Sequence, residues 1–67
     1  MRKRRNFNEL KGLIQYLYGK AKDKYLKGIL RASLRQADYL HKMKRYKKAL
    51  DLLESAYNFY HSYPYED

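Results

Sequence analysis

Apolar residues return every three or four positions along almost the whole chain, and no stretch alternates with period two. A period near 3.6 gathers such residues on one face of an α-helix, so helices, not strands, must supply the core. Phe7, Leu10, Leu13, Ile14, Leu17 and Tyr18 make the first series. Tyr25, Leu26, Ile29, Ser33, Ala37, Leu40 and Met43 make the second. The third runs through Tyr46, Ala49, Leu50, Leu53, Ala56, Tyr57 and Tyr60, with Leu52 and Phe59 widening its apolar side.

Residues with strong backbone preferences set the bounds of these helices. Asn6 or Asn8 can cap the first, because a short side-chain oxygen accepts a bond from a free backbone N–H, and Asp23 is expected either to cap the second or to be an acid in its first turn. Gly19 is expected to stop the first helix in a left-handed conformation. Lys44-Arg45 breaks the apolar period and predicts a short turn. Pro64 disfavours helix at Tyr63 and lacks a donor, which ends the third helix. The spacing therefore predicts helices over about 7–18, 22–43 and 46–61, between a basic flexible arm (1–6) and an acidic tail (62–67). The expected fold is all-α: a small three-helix domain in which the second and third helices form an antiparallel hairpin and the first lies across its open apolar side.

Sixty-seven residues allow one domain, and a chain of this size buries only ~60% of the surface its unfolded form exposes. With no cysteine, disulfides cannot compensate, so dense helix packing or self-association as a homodimer is the expected remedy. No apolar run approaches the ~20 residues of a membrane span. The Met1-Arg2-Lys3-Arg4-Arg5 start leads into polar Asn6 and Asn8, unlike a secretory leader, and a cytoplasmic location is the expectation. A basic amphipathic helix can also rest on an anionic membrane, but the hairpin needs that apolar face for its own core, so membrane contact is a minor reading.

The net charge of +9 is unevenly spread. All sixteen Lys and Arg fall in residues 1–48, whereas residues 49–67 hold four acids and no base. Such a polarised field draws polyanions to one part of the molecule. Arg2, Lys3, Arg4 and Arg5 form a candidate phosphate-contacting arm. Lys20, Lys24, Lys27, Arg31, Arg35 and Lys42 fall in a narrow sector opposite the second apolar series, interrupted only by Asp38. Ordinary helix surfaces mix signs at i,i+4, so a stripe of one sign suggests a polyanion. Tyr16, Tyr39, Tyr63 and Tyr65 are candidates to stack on bases, while Tyr46, Tyr57 and Tyr60 are expected in the core.

Ala37, Tyr46, Ala49 and Ala56 have the spacing of small and aromatic positions in a helical hairpin, and the segment from about 33 to 60 resembles a single tetratricopeptide repeat. It departs from the pattern at Ser33, at Lys44-Arg45 in place of a Gly-Asp turn, and in the late Pro64. The resemblance implies a protein–protein interaction module or self-associating adaptor. Leu52 and Phe59 are the candidate protein-contacting residues for that alternative.

Chemistry has little to stand on. Arg35 and His41 have a spacing that looks like the active motif of HEPN-type ribonucleases, whose domain is considerably longer. His41 and His61 lack cysteine or clustered carboxylate partners for a metal, no serine sits in an activating motif, and no glycine-rich phosphate loop is present. The expectation is a non-enzymatic binding or regulatory protein with no cofactor and no metal. Its partner is expected to be nucleic acid, DNA or RNA, or else another protein.

Overall fold

Residues 5–64 are described by the structure, a computed structural model. Three helices follow one another, α1 (Phe7–Lys20), α2 (Lys24–Lys42) and α3 (Tyr46–Ser62), and all three pack against each other. The three-helix, all-α domain expected from the apolar period is the observed fold.

Local chemistry accounts for most of the boundaries. Asn6 caps α1: its Oδ1 accepts from the Glu9 N–H at 2.8 Å, and its Nδ2 donates to Glu9 Oε1 at 2.9 Å. Asn6 thus belongs to the helix start, not to a free arm. Asp23 caps α2 by accepting from the Leu26 N–H at 3.1 Å. At the other end of the hairpin, Tyr63 is extended with ψ 119°, as a residue before proline prefers to be, and ends α3.

Gly19 does not stop α1. The helix runs on to Lys20, and Ala21 closes it in an extended conformation with its N–H on the Leu17 carbonyl. No described glycine has positive φ; the left-handed residue is Lys44, at φ 63°. There the Arg45 N–H donates to the Leu40 carbonyl at 2.9 Å and the Lys44 N–H to that of His41 at 3.0 Å. These two bonds satisfy the last free carbonyls of α2 in a Schellman closure.

Leu10, Ile14 and Leu17 of α1 meet Leu26, Leu30 and Ala37 of α2 and Ala49, Leu53 and Ala56 of α3 in a single core. The alanines let the hairpin helices approach closely, while the leucines and Ile14 fill the space beneath α1. Two expectations are corrected. Leu30 is fully buried although it lies outside the predicted apolar series, and Tyr25, Met43 and Tyr46, placed inside such series, are more than half exposed. Tyr57 and Tyr60 do pack against the core.

Candidate nucleic-acid interface

α1 crosses one flank of α2 and settles which of its cations face solvent. Phe7 stacks on His41 with ring centres 4.1 Å apart, and Lys11 Nζ lies 2.7 Å from Asp38 Oδ1. Lys27 Nζ sits 4.7 Å from the centre of the Tyr18 ring. Lys27 is therefore drawn toward α1, half-buried, and leaves the line formed by the other α2 cations.

The remaining stripe is Lys24, Arg31, Arg35 and Lys42, all exposed. At roughly 100° per residue these four lie within a sector of about 40°. None of them forms an ion pair among the described residues. Asp38, the only acid on α2, leans away from this line onto Lys11, so its charge is answered from α1. Arg31 and Arg35 stand one turn apart with like charge, an arrangement that costs a helix about 0.2–0.5 kcal/mol.

Other predicted site residues are dispersed. Lys20 ends α1 with its ammonium 5.4 Å from the centre of the Tyr16 ring, so it does not prolong the α2 stripe. Arg5 lies 5.5 Å over the Tyr57 ring of α3. Arg2, Lys3 and Arg4 fall outside the described residues, as do Tyr65 and the end of the acidic tail. Tyr63 is half-buried and donates its hydroxyl to Asp23 Oδ2 at 2.7 Å, which occupies it structurally.

The turn between α2 and α3 adds cations that the helical pattern did not single out. Lys44, Arg45, Lys47 and Lys48 are exposed and follow directly from Lys42 at the end of the stripe. α3 begins there at Tyr46, with Arg45 at the cap position making no side-chain cap and no acid in the first turn. Free first-turn amides and the positive end of the helix dipole suit an anion's oxygens. The run His41-Lys42-Met43-Lys44-Arg45-Tyr46-Lys47-Lys48 is plain in the sequence, but Lys44-Arg45, which lacks apolar character, reads there as a break between helices and not as part of a surface.

A second feature lies between α2 and α3. Ile29, Ser33, Leu52, Ser55, Ala56 and Phe59 line an open groove of about 280 Å³ to which α1 contributes nothing. Both candidate protein-contacting residues, Leu52 and Phe59, are in its wall, and each is half-buried.

Arg35 and His41 do not converge. Six residues of helix separate them by about 120° around the axis, and the imidazole is held between Phe7 and Tyr46, with its centre 5.0 Å from the latter ring. Among the described residues no three His, Cys, Asp or Glu side chains gather as metal ligands, and no helix is long and apolar enough to cross a membrane. Comparison with protein-family models, curated protein sequences and solved structures finds no match.

Proposed function

We propose that this chain is a small non-enzymatic protein that binds nucleic acid mainly through phosphates. The observation that carries this reading is the cationic line of Lys24, Arg31, Arg35 and Lys42, whose one acid on α2, Asp38, is paired with Lys11, and which continues in sequence into Lys44, Arg45, Lys47 and Lys48. α2 is about 28 Å long, enough to follow several phosphates. Lys44 supports the reading from a different direction. A left-handed backbone costs a non-glycine residue roughly 1–2 kcal/mol, and a lysine held there adds charge where glycine would fold more easily.

The test is anisotropy titration of labelled oligonucleotides across salt concentrations. Binding through phosphates weakens steeply with salt, and each lost contact flattens the slope of log K against log salt by about 0.7 on a single strand. Lys24→Glu with Arg31→Glu is expected to flatten that slope by at least about 1.4 and to reduce affinity severely. An unchanged slope sinks the reading.

The groove at Leu52 and Phe59 favours a second reading, docking of an amphipathic helix from a partner protein, in line with the repeat-like hairpin. Leu52→Gln or Phe59→Gln would weaken that contact and leave the salt-dependent binding of nucleic acid unchanged. The α2 charge reversal would do the opposite.

A further inference from the structure

Beside the cationic line of α2 runs a second line of different character. Tyr25, Gly28, Ala32, Gln36 and Tyr39 are all exposed and occupy the next sector of about 80°. The two tyrosines are 64% and 61% exposed and stand about 21 Å apart along the helix, the Tyr25 ring with that of Tyr63 at 6.4 Å on one side. No described side chain stacks on the Tyr39 ring or bonds its hydroxyl. Between the tyrosines, Gly28, Ala32 and Gln36 with Arg31, Arg35 and Tyr39 form a shallow depression. A Cβ added at Gly28 would meet nothing within 4 Å, so neither packing nor backbone geometry requires glycine there.

We propose that this face of α2 takes a single strand of nucleic acid, its phosphates along Lys24, Arg31 and Arg35 and its unpaired bases across the Gly28–Ala32 strip, stacked on Tyr39 and Tyr25. The proposal rests on the phosphate-binding reading and narrows it to a class of strand. A single strand presents charge along one edge and π-faces along the other, which is the order of the two lines on α2. A helix seated in a duplex major groove instead has phosphates on both sides. On α2 the side of the tyrosine strip away from the arginines holds Ile29, Ser33 and Leu40 and no cation. Gly28 and Ala32 leave the backbone of α2 open to close approach by a planar base.

The experiment compares a labelled oligothymidylate with a duplex of the same length at matched salt, using the intact chain and the variants Tyr39→Leu and Gly28→Leu. Leucine keeps helix propensity at both positions, and thermal melting checks that both variants fold. The expected result is tighter binding of the single strand, weakened about tenfold by Tyr39→Leu, in the range found for loss of one stacked base. Duplex binding should be unaltered by that change. Gly28→Leu should raise the melting temperature yet reduce single-strand affinity. Equal affinity for both probes, with Tyr39→Leu neutral, overturns the single-strand assignment and leaves phosphate binding intact. Absence of binding to either probe at low salt overturns both.

Discussion

The two ends of the α2–α3 hairpin are built on opposite terms. At one end Asp23 caps α2 and also accepts the hydroxyl of Tyr63, a residue forty positions later, while the Tyr63 ring lies 5.4 Å from Phe59 and 6.4 Å from Tyr25. A single carboxylate there closes a helix start and ties in the far end of the chain. At the other end Lys44 is left-handed, α3 starts at Tyr46 without a side-chain cap, and lysines and arginines crowd the turn. The first end satisfies its polar groups internally. The second leaves amides and charge facing outward, as a surface made to meet an anion would, at some expense in stability.

Breaking the closed end should have the largest effect. Asp23→Ala removes the cap and the Tyr63 bond together and is expected to lower the melting temperature by roughly 4–16 °C for a domain of this size. Hydrogen bonds from Tyr63, Leu26 and Tyr25 hold the Asp23 carboxyl below its ordinary 3.8 despite some opposing desolvation. Its contribution is therefore complete at pH values above 3.8 and is lost as pH falls below that value through the lowered folded pKa. Urea unfolding at neutral pH and near pH 3 checks this: the gap between parent and Asp23→Ala should be wide at the first and narrower at the second. A gap that persists unchanged in acid would show that the carboxylate's charge is not what closes this end.

The open end should respond in the reverse sense. Lys44→Gly relieves the left-handed backbone and is expected to stabilise the domain by about 1 kcal/mol, read as a higher melting temperature. The same change removes one cation and should weaken nucleic-acid binding and flatten its salt slope by about 0.7. A variant that folds better and binds less well would separate the two ends as the comparison requires. If Lys44→Gly gains stability with binding unchanged, the turn is strained for no reason connected with phosphate.

Much of this difference is written locally and can be read from the sequence. Capping bonds that span only three residues made Asn6 or Asn8, and Asp23, readable as candidates, among which the structure selects Asn6 and Asp23, and helix bounds fell within about two positions because the apolar period ends near those residues. The rotation of α2 was not legible. Its apolar series centred on Ile29, Ser33 and Leu40 includes Tyr25 and Met43, but α1 packs against the side bearing Leu34 and Asp38, turning Leu30 inward and leaving Tyr25 and Met43 outside. That choice depends on a neighbour more than twenty residues away. The same neighbour draws Lys27 out of the stripe, whereas the separation of Arg35 from His41 follows from the period of α2 itself. Gly19 shows the limit of a local signal: its freedom to close a helix goes unused because the helix extends to Lys20 and Ala21 is buried against the core.

The smallest expected change in stability comes from the pair that joins α1 to α2. Lys11 and Asp38 are partly exposed at 32% and 44%, and pairs of this kind contribute about 0–1 kcal/mol. Lys11→Met preserves the aliphatic stem beside Phe7, so the melting temperature should move by little. Its effect on binding should be larger, because an unanswered Asp38 carboxylate restores a negative charge next to Arg31 and Arg35. Asp38→Asn on the same background removes that charge and should restore the affinity lost in Lys11→Met. Rescue by the second change would show that the cation on α1 serves the open face of α2 by neutralising its one acid. Failure of the rescue, with both variants folded, would mean that Lys11 contacts phosphate directly and that the cationic surface extends onto α1.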